Sequence, residues 1–491
     1  MTTKHPLSLL LLICLIALQA CQEPQKPAVL DIADLVAAHA KYQEKHITKR
    51  RFGYDKIAPL IQNRSTAFEY QVLGHSVEGR PIHSLTFGEG EVRVMLWSQM
   101  HGNESTATMA LFDLFNFLEG SPDDEFEDIR SAIREKLKLR FIPMVNPDGA
   151  ERFERRNAQD IDLNRDAIRQ SSPEGIILKE ARDEFEPEFG FNLHDQNIYY
   201  NAQGTPQPAT ISVLAPAYNE AREINDIRSR AMKLIAGMNR VLQKEVPGHV
   251  GKYNDTFEPR AFGDNFQKWG TSTILIESGG YPDDPEKQYI RKLNFMIILN
   301  ALYEIASQGY ENFTEEEYFA IPDNDSKLMD LLIKNVSAEA RDYSYQTDIG
   351  IRRSDRYQDS IRYSSASVSD WGDLSVFYGY QEIDAERMNL TAAKVWTEEM
   401  ALEELSDSLA WELLTQGYMA IKTKEEDKGK FYDLPLLLFS SEKEPDLKPG
   451  LQNTPDFYLE REGTLLFAVV NGFLIDLEKQ ASAPSFLQRV R

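Results

Sequence analysis

Cysteine is nearly missing from this chain. The sequence holds two, Cys14 and Cys21, both close to its start. Everything beyond them is expected to form no internal disulfide, so its stability must come from packed cores. Histidine is scarce as well: there are eight, and none follows His249, so the C-terminal part cannot build a histidine-based metal site. Basic residues are outnumbered, 54 against 78 acidic ones. The resulting net charge of -24, with no basic stripe to offset it, argues against a nucleic acid partner. Long apolar runs are missing too, except for "PLSLLLLICLIAL" near the start. That run has about a dozen residues where a membrane-spanning helix needs roughly twenty.

The exception has the layout of an export signal, with the positive Lys4 ahead of an apolar core. It closes in "LQAC", placing Leu18 and Ala20 before Cys21. This arrangement resembles the bacterial lipoprotein signal, whose cysteine is diacylated. It predicts a signal peptide over 1–20 and an exported protein lipid-anchored at Cys21 to a bacterial membrane, on the periplasmic or cell-surface side. Several acyl chains on one cysteine hold a protein at a membrane where a single chain does not. The remaining residues, about 470, suffice for two or three domains.

Residues 21–62 read as a short tether followed by a charged helical segment. From Phe68 the apolar period changes to two, which predicts a hairpin and then a buried strand in "EVRVMLWSQM". A helix is expected over 105–119. "KLRFIPMVNPDG" predicts another strand ending in an Asn-Pro-Asp-Gly turn. "GFNLHDQ" and "STILIESGG" are further short strands, with helical stretches near 176–186, 217–245 and 284–307. Alternating strands and helices over 63–320 predict an α/β domain with a mixed, largely parallel sheet flanked by helices. Residues 321–491 differ. Short β-like runs with polar connections, and one helical stretch at 398–415, predict a β-rich accessory domain.

In "SQMHGNESTATMALFDLF" a histidine and a glutamate stand three positions apart, just before a helical pattern. Alone, His101 and Glu104 are an ordinary polar helix start. They gain meaning from His194, which follows "GFNL", and Glu277, which follows "TILI". In open α/β sheets, polar residues beyond the carboxyl ends of separate strands converge on one place. Two histidines and one carboxylate make a zinc site with an open position, and a further carboxylate can shuttle a proton. His101, Glu104 and His194 are therefore candidate ligands for one zinc ion, with Glu277 as candidate base.

The stretch from about Phe68 to Ala306 resembles the zinc carboxypeptidases of the carboxypeptidase A type, the M14 metallopeptidases. The resemblance rests on "GHSVEGRPI", "MHGNE", "NPDG" followed by "RRNAQDIDLNRD", the single His194 and "ESGG". It implies a carboxypeptidase-like fold over 63–320 and a peptide substrate with a free C-terminal carboxylate. Asn164 and Arg165 would bind that carboxylate, a guanidinium gripping it through two parallel hydrogen bonds. Arg155 would stabilise an oxyanion, with Arg156 as the neighbouring alternative. Asp162 would fix the tautomer of His101. Asn103 stands where pancreatic-type members carry an arginine. The family's mobile tyrosine is not assigned in "KYNDTFEPRAFGDNFQKWG", where Tyr253 and Phe266 are the aromatic residues considered.

The implied function is a zinc metallocarboxypeptidase that hydrolyses the C-terminal amide bond of peptides outside the cytoplasm. Cell-wall muropeptide cleavage and removal of acyl groups from amino acids remain open within the same chemistry. A peptide-binding lipoprotein on a degenerate peptidase fold is the non-enzymatic alternative.

Overall fold

An eight-stranded mixed sheet organises the first part of the computed structural model, which describes residues 29–479 except 65, 342, 359–360, 425–433 and 441. The signal-like run and Cys21 lie outside the described residues. The chain divides into two units, Met1–Asp325 and Ser326–Arg491.

Strands of the first unit are β1 (Glu69–His75), β2 (Pro81–Phe87), β3 (Val92–Ser98), β4 (Leu137–Ile142), β5 (Phe189–Asp195), β6 (Asn201–Ala202), β7 (Ile211–Leu214), β8 (Val250–Lys252) and β9 (Ser272–Ser278). The large sheet runs in the order β1-β2-β4-β3-β5-β9-β7-β8, and β6 pairs separately with Asn324–Asp325. Its central strands β4, β3, β5 and β9 are parallel, while the β1–β2, β2–β4 and β9–β7 pairs are antiparallel. The α/β expectation of a mixed, largely parallel sheet therefore holds.

Near-continuous apolar runs mark strands covered on both faces. In β3, Val94 and Leu96 join the larger core with Phe112, Phe115, Phe141, Phe191 and Ile276. Met95 and Trp97 face the opposite way, into a second core with Leu163, Phe262 and Phe266. Helices Thr106–Leu118, Asp226–Glu245 and Gln288–Ser307 supply much of the larger core. Each fully buried side chain of this size contributes roughly 1.5–3 kcal/mol.

The charged stretch over 31–62 forms two helices, Ile32–Tyr42 and Tyr54–Gln62. The segment between them is held by a buried cation. Arg291 donates to Asp113 and to the carbonyls of Glu44 (2.9 Å) and Ile47 (2.6 Å).

Several local expectations need correction. Asn-Pro-Asp-Gly opens a short helix, Pro147–Arg152, because Asn146 accepts from Gly149 N–H and Pro147 suits the first helical position. The helix expected from 217 begins at Asp226, capped by Asn225. In the second unit the leading strands are long: Leu328–Ala340, Tyr343–Gln358 and Ile361–Gly372 form an antiparallel run. The helix expected over 398–415 is a strand, Lys394–Met400, followed by a helix only at Asp407–Thr415, where Ser406 caps Leu409 N–H. The β-rich character of this unit holds, with a second sheet joining Lys394–Met400, Tyr418–Thr423 and Leu437–Phe439.

Candidate active site

β3 ends at Ser98, and the chain turns through Gln99, whose φ of 46° is left-handed, before reaching His101. The turn is fixed by Gln99 Nε2 donating to the Gly102 carbonyl (2.9 Å) and by Val145 N–H donating to the Ser98 carbonyl. Gly102 is required by packing: a Cβ there would lie 2.0 Å from the Gly149 carbonyl carbon, in the short helix described above. Glu104 follows, and the helix begins at Thr106.

His194 comes from the end of β5, and β5 pairs with β9 so that His194 stands opposite Glu277. His101, Glu104 and His194 are 2%, 8% and 2% exposed, too buried to be a solvated loop. Their donor atoms all lie within 4.8 Å of one another. The two Nδ1 atoms are 3.2 Å apart, and Glu104 approaches His101 Nδ1 at 2.9 Å and His194 Nδ1 at 2.8 Å.

This donor set fits a metal cation. His101 turns Nε2 to Asp162 Oδ1 at 3.0 Å. An ionised carboxylate only accepts, so Nε2 carries the hydrogen and Nδ1 presents its lone pair to the cluster. Arg155 already answers that lone pair with positive charge, its Nη1 lying 3.1 Å from His101 Nδ1 and 3.1 Å from Glu104 Oε1. Two imidazoles and one carboxylate are the usual donors of a catalytic zinc site.

Burial pushes the Glu104 carboxyl upward, but the facing His101 and His194 outweigh it and hold the group well below the usual carboxylate range. Burial likewise disfavours the charged form of His101, yet Glu104 and Asp162 raise it overall. Burial dominates at His194 and lowers it. Glu277 is raised well above an ordinary glutamate by burial and by the charges of Glu104 and Asp195. It retains some exposed surface.

The "RRNAQDIDLNRD" segment wraps over this cluster. Arg155 also bonds Asp162 through Nε (3.1 Å), so one guanidinium ties the loop to Glu104. Arg156 points elsewhere, donating to the Asp160 carbonyl at 2.7 Å, which leaves Arg155 as the arginine at the cluster. Asp162 Oδ1 also accepts from Asn164 N–H, and Asn164 Oδ1 accepts from Phe262 N–H at 2.9 Å. Arg165 is exposed, with Nε 3.4 Å from Glu258 Oε2.

Tyr253 and Phe266 now separate. Phe266 is fully buried, with its ring 4.2 Å from that of Trp97. Tyr253 has its phenol raised by burial and by the charge of Glu277, with Tyr200 beside it. Glu258 was not foreseen as a partner of Arg165, and no motif signals it. Lys287 was also missed; it is 4% exposed, and nothing in the sequence sets it apart from a surface lysine.

Residues 54–206, which carry His101, Glu104, Arg155, Asp162, Asn164, Arg165 and His194, match the family model Peptidase_M14, described as zinc carboxypeptidase. Over residues 54–206 the chain matches the M14 zinc carboxypeptidase family. Among curated proteins it is similar to an uncharacterised protein of Zymomonas mobilis, 29% identical over 132 residues, covering 26% of this chain and 33% of that one. It is also similar to the probable carboxypeptidase 2 of Arthroderma benhamiae, 26% identical over 166 residues, covering 33% of this chain and 28% of the relative. The matches thus span about a third or less of those relatives. Among solved structures, a metallo-carboxypeptidase from Burkholderia cenocepacia aligns over 52% of this chain and 70% of its own at 18% identity, TM-score 0.42. The carboxypeptidase A of Helicoverpa armigera aligns over 57% and 80% at 15% identity, TM-score 0.41.

Proposed function

We propose that this protein is a zinc metallocarboxypeptidase that hydrolyses the C-terminal amide bond of peptides outside the cytoplasm, held at a bacterial membrane by a lipid on Cys21. One observation carries the catalytic part: His101, Glu104 and His194 converge as a buried donor set, and Glu277 stands beside them in register with His194. His101, Glu104 and His194 would hold one zinc ion, which would supply Lewis acidity toward a substrate carbonyl and a water. Glu277 takes the proton of the attacking water and returns it to the departing amine, a transfer for which a raised carboxyl pKa is suited. Arg155, already aimed at the cluster, receives the charge developing on the carbonyl oxygen. Asn164 and Arg165 hold the terminal carboxylate, with Arg165 exchanging its contact with Glu258 for the substrate.

Purified protein incubated with a mixed peptide library tests the assignment. Mass spectrometry is expected to show loss of single C-terminal residues, abolished by a chelator and by Glu277→Gln. Cleavage of C-terminally amidated peptides would rule out Asn164 and Arg165 as the carboxylate clamp. Cleavage restricted to muropeptides or acyl-amino acids would move the substrate to that class. Incorporation of labelled fatty acid, lost in Cys21→Ser, tests the anchor.

A further inference from the structure

We propose that Asp195 and Lys287 form a positioning pair that sets the spacing between the metal ligands and Glu277. The proposal rests on the reading of His101, Glu104 and His194 as ligands.

Asp195 follows His194 at the end of β5, and its surroundings reach all three parts of the site. Its backbone N–H donates to Glu104 Oε2 at 3.2 Å. Its Oδ2 accepts from Thr106 Oγ1 at 2.6 Å, and Thr106 opens the helix directly after Glu104. The same Oδ2 accepts from Lys287 Nζ at 2.9 Å. Lys287 Nζ donates again, at 2.9 Å, to the carbonyl of Ser278, the residue after Glu277 and the register partner of Asp195. One ammonium therefore ties the segment bearing His101 and Glu104, the strand bearing His194 and the strand bearing Glu277.

The cost of this arrangement argues for a specific task. Lysine is rarely buried, and an ammonium taken out of water is tolerated only when paired and hydrogen-bonded. Lys287 also adopts a left-handed backbone, φ 52°, which disfavours a side-chain-bearing residue. An apolar residue would fill the space without burying a charge. It could not hold Asp195 and the Ser278 carbonyl at fixed separation. Lys287 also places its charge near Glu277, partly opposing the effect of Glu104 and Asp195 on that carboxyl. Neither residue is assigned a contact with substrate; both act through Glu104, His194 and Glu277.

The test compares Lys287→Met, Lys287→Arg and the gentler Thr106→Val in the full-length protein. Zinc affinity is read by chelator competition, ligand geometry by the visible spectrum of the cobalt-loaded protein, and peptidase activity separately. Lys287→Met is expected to weaken zinc binding by about 10-fold or more, the scale seen for residues supporting metal ligands, and to shift the cobalt bands. It should lower kcat with little change in KM. Thr106→Val should move the same readouts less, and Lys287→Arg should recover part of the loss. A lowered melting temperature with unchanged zinc affinity, cobalt spectrum and kcat in all three variants would reduce the pair to a structural ion pair and overturn the proposal. If His101→Ala leaves zinc affinity unchanged, the ligand reading itself fails, a result separable from the first.

Discussion

Replacing Asp162 by asparagine tests the proposed metal centre through a residue outside the candidate ligand set. One carboxylate oxygen, Oδ1, serves His101 Nε2 and Asn164 N–H, each at 3.0 Å. The other, Oδ2, serves Arg155 through Nε at 3.1 Å and Nη2 at 3.0 Å. All four partners are donors. An asparagine has one oxygen and one amino group, so either orientation sets its amino group against two donors. If the amino group faces Arg155, the arginine loses its anchor; if it faces His101, the imidazole loses the acceptor that fixes its tautomer.

Burial pushes the Asp162 carboxyl upward, but His101 and Arg155 outweigh it and keep the group ionised at neutral pH. The substitution therefore also removes a charge that raises the basicity of His101. Losing such a partner costs about 10- to 100-fold in metal affinity, or roughly 1.4–2.8 kcal/mol. The protein stripped of metal is titrated with zinc against a competing chelator, and circular dichroism verifies the fold. An affinity within about twofold of the parent in a folded Asp162→Asn protein would refute the reasoning, because the link from Asp162 to His101 would then carry no energy.

Two other perturbations probe the scaffold. Arg291→Met leaves Asp113 buried and uncompensated apart from Glu44 N–H at 2.7 Å and His39, so unfolding free energy should fall by about 3–5 kcal/mol, with much of the loss recovered in Arg291→Met/Asp113→Leu; an unchanged denaturation midpoint in the single variant would contradict this. His83, held between Tyr54 and Tyr70, is pushed down to about 4 from 6.5 by burial, so its contribution is complete above pH 6.5 and is lost as pH falls toward 4. Urea unfolding at pH 7 and pH 4.5 should show about 2.5 kcal/mol more acid sensitivity in the parent than in His83→Gln, and equal sensitivity would reject it.

The parts of the site that were legible in the sequence sit at or just beyond the ends of short, mainly apolar strands. β3, β5 and β9 are covered on both faces, so each reads as a mainly apolar segment that gives way to polar residues at its C-terminal end. His101, His194 and Glu277 stood out by contrast. Arg155 and Arg156 could not be separated because adjacent residues in a polar loop differ only in backbone direction. Tyr253 follows β8, a strand of three residues at the sheet edge, too short for a periodic signal. The long strands of the second unit were underestimated for another reason. The stretch from Arg352 to Asp355 within Tyr343–Gln358 is charged and partly exposed, so no apolar face marks it.

Register, more than motif spacing, brings Glu277 to the His101, Glu104 and His194 cluster. Paired residues on neighbouring strands project from the same face of a sheet. His194 and Glu277 are such a pair, and two residues earlier Asn192 pairs with both Trp97 and Leu275. All of these lie on the face that packs against Leu163, Phe262 and Phe266, where the loop bearing Asp162 and Asn164 also docks. Leu193 and Ile276 alternate with them and enter the opposite core. A slip of one residue in β9 would turn Glu277 into that core and bring an isoleucine or serine beside His194. The slip would also expose Ile274 and Ile276 to the wrong face, at a cost of several kcal/mol by their burial alone. The hydrophobic alternation of β9 therefore fixes the position of a carboxylate that contributes nothing to the core itself.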